Sequence, residues 1–188
     1  MARPKSEEKR NTILSVATQV FAKNGLTAST ASITKEAGMA EGTLFIYFKG
    51  KDELINALYE EIKGDLAEAM LSGLPKTGSV RERMRHVWNN YVDWGAANPD
   101  QLIVMHKIKV WEGLKPEVRD ALMERFAELH ELTMNAINEG SNKEIPQDFL
   151  IAMFSAQAET TMQFCKLNPS ESKLYKDKGF EMFWNGVT

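Results

Sequence analysis

Apolar side chains recur along the chain at intervals of three and four residues, which is the period of amphipathic helices. Ile13, Ala17 and Phe21, for example, mark one face of a first predicted helix. The four helices predicted in the first part of the chain cover residues 7–24, 29–37, 41–48 and 51–73. No alternation of period two competes with this pattern, so the chain is predicted to be all-α.

A linker is predicted at residues 74–78, which read LPKTG. Ser79 and Glu82 follow it with the spacing of a capping box, in which the two side chains satisfy free N–H groups at a helix start. Later prolines stand where a first helical residue is expected, because that position needs no N–H donor. The five further helices are predicted to open near residues 79, 98, 116, 146 and 168, which gives about nine helices in all.

The second and third predicted helices are short and are joined through Gly38, an arrangement typical of a helix-turn-helix. Gly38 permits a left-handed turn, and Ile33, Leu44 and Phe48 are predicted to fill a small core beneath it. Such a unit holds its third helix outward so that it can enter a DNA major groove. The alternative is a compact helical corner with no role in DNA binding.

The sequence of this segment is specific. Residues 33–54 read ITKEAGMAEGTLFIYFKGKDEL, and residues 17–25 read ATQVFAKNG. Together they closely resemble the DNA-binding signature of TetR-family transcriptional regulators, and the resemblance covers roughly the first 55 residues. Beyond residue 60 only the length and the number of helices are similar. The resemblance implies an N-terminal helix-turn-helix head on a larger helical domain, with the boundary predicted between residues 50 and 51.

The resemblance also implies which residues contact DNA. The positions that match are Ser29, Thr30, Gly42, Thr43, Phe45, Ile46, Tyr47 and Lys51, and the DNA-binding candidates also include Arg3 and Lys5. Ser29 and Thr30, at the start of the second helix, match phosphate-binding positions. Tyr47 and Lys51 match two further phosphate contacts. Arg3 and Lys5 are expected to add contacts from a flexible arm. For Tyr47 the alternative is a half-buried core aromatic whose hydroxyl only meets water.

The remaining matching positions face the bases. Gly42 lets the third helix approach the DNA closely together with Thr43, and Phe45 and Ile46 are expected to touch thymine methyl groups. One departure from the family pattern is Glu41, whose carboxylate repels phosphate but can accept a hydrogen bond from cytosine N4. Such departures leave the fold prediction unchanged and the operator sequence open.

Composition and charge narrow the class of protein further. The chain has 188 residues with 43% hydrophobic residues and a net charge of −3, which is typical of a folded domain. Residues 1–51 carry eight basic and four acidic side chains, whereas the rest carries 15 basic and 22 acidic ones. A basic end on an acidic body favours contact of that end with a polyanion, although an excess of this size also arises by chance.

Other classes of function are disfavoured. The sequence shows no membrane-length apolar run and no signal peptide, so a cytoplasmic protein is expected. Cys165 is the single cysteine, and the three histidines are far apart in the sequence, so no metal site and no cofactor are predicted. No nucleophile–base pair and no phosphate-binding glycine loop appear, so the protein is not expected to be an enzyme.

One recognition helix makes few base contacts, so a homodimer is expected on a palindromic operator. The TetR resemblance implies pairing through the two C-terminal helices. These helices are rich in aromatic side chains that are predicted to form the dimer surface, namely Phe154, Phe164, Phe180, Phe183 and Trp184. The alternative is that these aromatic residues belong to the internal core.

The helical body is predicted to bind a small apolar or aromatic molecule, because methionine and aromatic side chains suit such a pocket. The candidate ligand-binding residues are Trp88, Tyr91, Met105, His106, Phe126, His130, Phe154, Gln157 and Thr161. The histidines, Gln157 and Thr161 lie on otherwise apolar stripes and would orient the ligand. For all nine residues, ordinary core packing is the competing interpretation.

The sequence therefore predicts a transcriptional repressor that leaves its operator when a ligand shifts the population of its conformations. The helix from Lys51 to Gly73 is the predicted lever between head and body. Two alternatives remain open. In the first, the protein is a repressor without a ligand pocket that acts constitutively or under the control of a protein partner. In the second, it is a helical small-molecule-binding protein that no longer binds DNA.

Overall fold

A computed structural model describes the backbone of residues 3–140 and 144–187, and the side chains of residues 7–140 and 144–186. These parts of the chain contain helices and no strands, so the predicted all-α class is confirmed. The helices are α1 (Arg3–Asn24), α2 (Thr30–Glu36), α3 (Glu41–Tyr47), α4 (Lys51–Leu71), α5 (Val80–Ala97), α6 (Pro99–Lys109), α7 (Pro116–Arg125), α8 (Ala127–Glu139), α9 (Gln147–Leu167) and α10 (Ser172–Val187). A 3-10 helix, Pro169–Glu171, precedes α10.

Side-chain caps begin two of these helices where the sequence predicts them. Ser29 is the N-cap of α2, and its Oγ accepts a hydrogen bond from the N–H of Ser32 at 3.1 Å. Ser79 and Glu82 form the complete capping box of α5, with the Ser79 N–H donating to Glu82 Oε2 at 2.8 Å. These hydrogen bonds lower the pKa of the Glu82 carboxyl group, because they stabilise its charged form.

The seventh predicted helix is two helices in the structure, which raises the number of α-helices in the described residues from nine to ten. Phe126 lies between α7 and α8 with φ −99° and ψ 6°, outside helical geometry. The Phe126 carbonyl still accepts a hydrogen bond from the N–H of His130 at 2.8 Å. The period of apolar residues therefore continues across the break, and the sequence pattern alone does not show that the helix is interrupted.

The chain divides into two compact units. Unit 1 contains the chain up to Gly64 together with Pro99–Leu122. In unit 1, α6 packs on α1, and the Lys107 ammonium group donates to the carbonyls of Phe21 and Ala22 at 3.1 and 2.9 Å. A cation at the last carbonyls of a helix is favourable because it meets the negative end of the helix dipole.

Asn56 holds the segment after α6 in unit 1. Its buried side-chain amide donates to the carbonyl of Gly113 at 3.0 Å and accepts from the N–H of Lys115 at 2.9 Å. The same amide nitrogen donates to the carbonyl of Asp52 at 2.8 Å within α4. These backbone groups therefore satisfy the buried amide of Asn56 and join α4 to the segment after α6.

Unit 2 contains Asp65–Asn98 and the chain from Met123 onward. Here α5, α9 and α10 pack around the fully buried Trp88, whose ring lies 5.4 Å from Phe154 and 6.0 Å from Phe183. Phe180 and Trp184 are buried in the same cluster.

This packing corrects the predicted dimer surface at the level of residues. Of the five aromatic side chains assigned to it, four are internal core and only Phe164 is exposed. The amphipathic period identified the buried face of each helix correctly but could not show that α5, rather than a second subunit, covers that face.

The predicted domain boundary between residues 50 and 51 does not coincide with the division into units. Unit 1 extends to Gly64 and includes α6 and most of α7. The reason is the packing of α6 on α1, which joins segments far apart in the sequence. The boundary remains a prediction about how function is divided along the chain.

Candidate nucleic-acid interface

The turn between α2 and α3 has the geometry of a helix-turn-helix. Gly38 adopts φ +64°, a left-handed conformation that favours glycine, and the N–H of Met39 donates to the Thr34 carbonyl at 2.9 Å. Ile33 and Leu44 are completely buried beneath the turn, and Phe48 is buried at the end of α3. One side of α3 is therefore fixed against the core, and its other side points outward.

The outward side of α3 carries the residues predicted to face the bases. Gly42 is exposed and Thr43 is half-buried. Phe45 is 50% exposed and Ile46 is 78% exposed, so two large apolar side chains adjacent in sequence are open to solvent on this helix. An apolar surface of this kind on a protruding helix can contact the thymine methyl groups that line a major groove.

The residues predicted to bind phosphate lie at helix ends. Ser29 is exposed at the start of α2, and its neighbour Thr30 is half-buried. Tyr47 ends α3 and is half-buried, so its exposure fits both the phosphate contact and the alternative of a core aromatic. Lys51 begins α4, next to the free N–H groups of that helix, where an anion is favoured. The predicted contacts of Arg3 and Lys5 lie outside the described side chains.

Part of the basic character of this region serves the fold. Arg10 forms an ion pair with Glu61 at 3.3 Å, and its guanidinium group lies over the Phe48 ring at 5.6 Å. Arg10 therefore stabilises the attachment of α1 to α3 and α4. Among the described side chains of residues 7–51, the exposed cations are Lys9, Lys23, Lys35 and Lys49.

The structure brings several predicted ligand-binding residues of unit 2 together. The Tyr91 ring stacks on Phe154 at 5.9 Å, and Phe154 contacts Trp88. Thr161 and Trp88 both lie against Gly179. A Cβ atom added to Gly179 would lie 2.5 Å from Thr161 Oγ1 and 2.9 Å from the Trp88 ring, so the three residues are packed closely together. Contacts this close favour ordinary packing for Trp88 and Phe154, the competing interpretation of the sequence.

Polar groups lie beside this cluster. Burial raises the pKa of the Tyr91 hydroxyl, and the neighbouring Glu159 carboxylate, whose Oε1 accepts from this hydroxyl at 3.4 Å, raises it further. Gln157 Oε1 is buried and has no hydrogen-bond partner within the described residues. A buried acceptor without a partner is costly, so Gln157 remains a candidate for orienting a ligand.

The other predicted ligand-binding residues lie elsewhere. Met105 is buried and His106 half-buried on α6 in unit 1. Phe126 is half-buried between α7 and α8. His130 is exposed, whereas the stripe of α8 that faces the core consists of Leu129, Leu132, Thr133, Ala136 and Ile137. The prediction that His130 lies on the apolar stripe is therefore wrong, because its position falls on the solvent side of the helix.

Sequence reasoning missed Asn56 and Lys107, which connect helices of unit 1. Each side chain binds backbone groups more than fifty residues away in the sequence. Neither forms a motif with its neighbours, so the only signal in the sequence is a polar residue among the apolar positions of a helix.

Within the described residues, no helix is long and apolar enough to cross a membrane.

Comparisons with known proteins agree with the geometry of the head. Residues 13–58 match the family model of bacterial regulatory proteins, tetR family. A segment of 93 residues is 31% identical to the Fatty acid metabolism regulator protein of Bacillus subtilis, covering 49% of this chain and 48% of that protein. The chain thus spans about half the length of this relative.

Two further comparisons extend over nearly the whole chain. The Nucleoid occlusion factor SlmA of Mannheimia succiniciproducens is 25% identical over 96% of this chain and 86% of its own length. A solved structure of a TetR-family transcription regulator from Shewanella sp. PV-4 is 26% identical, covers 95% of this chain and 97% of that one, and has a TM-score of 0.82.

The fold and the exposed helix α3 define a DNA-binding protein of the helix-turn-helix class. The matched family model spans α2, the turn and α3, and the similar solved structure covers both units. Residues 13–58 of the chain thus match the DNA-binding domain of the tetR family of bacterial regulatory proteins, and the fold resembles that of a TetR-family transcription regulator over nearly the whole chain.

Proposed function

We propose that the protein is a cytoplasmic, homodimeric repressor whose two heads bind a palindromic DNA operator and whose body binds a small apolar or aromatic effector. In this proposal residues 1–50 are the DNA-binding domain and residues 51–188 the ligand-binding and dimerisation domain. The observation that carries it is the head: α3 is fixed by Ile33 and Leu44 and presents Phe45 and Ile46 to solvent. The match of the head to a family of regulators supports the same conclusion.

Operator binding is tested with duplex fragments from the region upstream of the gene. Fluorescence anisotropy is measured over a series of salt concentrations, because each phosphate contact that is lost reduces the salt dependence of binding. Lys51→Ala and Tyr47→Phe are expected to weaken binding, and Tyr47→Phe keeps the ring so that a loss of affinity reports on the hydroxyl. Lys76→Ala, at an exposed lysine of the segment between α4 and α5, is the control. Unchanged affinity for both head variants contradicts the proposed phosphate contacts.

Pairing through α9 and α10 is supported by an exposed apolar stripe on α9. Phe149, Met153, Ala156, Thr160 and Leu167 follow one another at intervals of three, four and seven residues, opposite the face that packs on α5. Exposed positions of α10 add Leu174 and Met182. Contiguous exposed apolar surface on neighbouring helices is typical of an interface. A second copy would bury this stripe and place two heads on one operator.

The effector class follows from the body and from one relative. A relative named as a regulator of fatty acid metabolism makes a long-chain acyl group the first candidate, and an acyl chain is apolar as the sequence analysis expects. Binding to the folded state raises the unfolding temperature by mass action. Palmitic acid and palmitoyl-coenzyme A are therefore tested by thermal shift and by release of the protein from operator DNA. Stabilisation without release contradicts the regulatory role.

A second candidate function is DNA binding that is controlled by a protein partner or by none. It is favoured by the similarity over 96% of the chain to a relative named for nucleoid occlusion rather than for metabolism. The close packing of Trp88, Phe154 and Phe183 also requires no ligand. If a panel of apolar compounds leaves both the unfolding temperature and operator affinity unchanged, this second function is preferred.

A further inference from the structure

The recognition helix has an unusual set of side chains for reading bases. In a major groove, guanine presents two acceptors, cytosine presents an amino donor, and thymine presents a methyl group. Residues 41–48 contain no Arg, Lys, Asn or Gln, so the helix lacks the long donors that read guanine. Its outward side offers the Glu41 carboxylate and the apolar side chains of Phe45 and Ile46.

We propose that each half-site is read through thymine methyl groups that contact Phe45 and Ile46 and through a cytosine amino group that donates to Glu41. This inference rests on the proposed DNA-binding function and names the bases that the head selects. The half-site is therefore defined by the cytosine and the thymines that α3 contacts.

Exposure of Ile46 is the strongest structural support. The buried neighbours Leu44 and Phe48 already complete the core of the head, and the 78% exposed Ile46 side chain adds nothing to it. Phe45 is exposed as well, one residue earlier and about 100° around the helix axis. Two large apolar side chains held outward on a rigid helix stabilise a complex when a partner covers them and removes their surface from water. In a major groove the apolar atoms that can do so are the methyl groups of thymine.

The helical geometry fixes the spacing of the bases. Glu41 and Phe45 are one turn apart, and Glu41 and Ile46 are separated by about 7.5 Å along the helix axis at a rise of 1.5 Å per residue. Successive base pairs along a strand are about 3.4 Å apart. The cytosine and the thymines are therefore expected within about two base-pair steps of each other.

The test begins with selection of duplexes from a random-sequence library by the full-length protein. In the selected duplex each thymine is replaced in turn by deoxyuridine, which removes only the methyl group, at both symmetric positions. Loss of one methyl contact is expected to weaken binding about fourfold per half-site, or about 16-fold for the pair. Anisotropy titrations measure these ratios for the wild type and for each variant.

Two substitutions connect the effect to the proposed residues. Ile46→Ala is expected to reduce the penalty of deoxyuridine at one thymine position. Val110→Ala, at an aliphatic side chain that is 81% exposed outside the head, is the matched control and leaves the penalty unchanged. Glu41→Gln is expected to change the preferred base from cytosine to adenine, because a glutamine amide pairs with both polar groups on the adenine edge.

The outcomes separate this inference from the proposed function. A deoxyuridine penalty that is reduced in Ile46→Ala, together with the base change in Glu41→Gln, supports the inference. If the selected duplex binds but tolerates deoxyuridine everywhere, or pays the same penalty with Ile46→Ala, the inference is wrong while DNA binding stands. If no duplex is selected at low salt, the proposed function itself fails.

Discussion

Gly38 and Gly42 lie four residues apart at the turn and in α3, but only Gly38 needs to be glycine. Gly38 has φ +64°, whereas Gly42 lies within a regular helix, and a Cβ atom at either position would meet no atom within 4 Å. Gly38→Ala is expected to destabilise the protein by about 1 kcal/mol because a side chain disfavours the left-handed conformation. Gly42→Ala is expected to stabilise it by up to about 1 kcal/mol because alanine favours helix. Urea unfolding of both variants measures the difference, and equal effects would contradict the assignment of the turn.

Lys63 is a half-buried ammonium group of α4 whose charge the fold disfavours. Burial, and to a smaller extent the nearby Lys109 charge, lower the pKa of Lys63 to about 8. Because the folded-state pKa lies below the unfolded value of about 10.4, the unfolded chain binds more protons between these values. Stability should therefore rise with pH from about 8 to 10.4 through this group.

The variant Lys63→Met isolates this contribution. Near pH 7 it is expected to be more stable than the wild type by up to about 3 kcal/mol, the upper limit set by the pKa difference. The gain should shrink as the pH rises from about 8 toward 10.4 and disappear at higher pH, where Lys63 is neutral in both states of the wild type. Denaturant unfolding of both proteins at several pH values gives the difference curve. A flat curve would show that Lys63 keeps its ordinary pKa in the folded protein.

At the level of residues, the sequence predicts contacts that are local. The caps formed by Ser29 and by Ser79 with Glu82 join residues three apart, so their spacing is sufficient to recognise them. The hydrogen bonds from Lys107 to Phe21 and from Asn56 to Gly113 join residues 57 or more positions apart in the sequence. No local pattern contains such a partner, because it is fixed only when the helices pack.

Helix α6 is attached to α1 by Lys107, and this attachment can be removed without disturbing the core. Lys107→Met keeps most of the aliphatic length but loses the two hydrogen bonds to the carbonyls of Phe21 and Ala22. A loss of stability of about 1–2 kcal/mol is expected, since hydrogen bonds from a charged donor are stronger than neutral ones. Lys115→Met, at an exposed lysine of the same unit, is the control.

The local effect of Lys107→Met is measured by hydrogen exchange. Amides in the last turn of α1 should exchange faster in this variant, because the carbonyls of Phe21 and Ala22 lose the ammonium group that binds them. The end of α1 is then held less firmly against α6. Amides of α9 in unit 2 should be unaffected. Equal exchange in the last turn of α1 for the wild type and Lys107→Met would mean that the ammonium group does not hold this helix end.

At the level of elements, the apolar period predicts which face of a helix is buried but not what covers it. The period through Leu122, Phe126 and Leu129 continues across the break between α7 and α8, so one helix was predicted where there are two. In the same way Phe154 and Phe183 were assigned to a dimer surface, although Trp88 of the same chain covers them. The recognition helix was predicted well because its sequence signature is itself local.

At the scale of the whole molecule, one recognition helix reaches only a few base pairs, so the proposed operator requires two heads. Phe154, Phe180, Phe183 and Trp184 are buried inside unit 2, and the surface proposed for a partner is the exposed stripe of α9 that includes Ala156 and Thr160. This stripe is apolar or small along the whole of α9 apart from Gln163. A charge in its centre should therefore prevent pairing without affecting the packing of α9 on α5.

Ala156→Glu supplies that charge. Because Ala156 is exposed in the subunit, its replacement should leave the folded subunit intact but bury an unpaired carboxylate in any dimer, which costs several kcal/mol. The variant is expected to elute as a monomer in light-scattering chromatography and to bind operator with about half the salt dependence, since one head makes half the phosphate contacts. Ala127→Glu, at an exposed alanine of α8, should remain dimeric. If Ala156→Glu is dimeric at micromolar concentration, the pairing surface lies elsewhere on the chain.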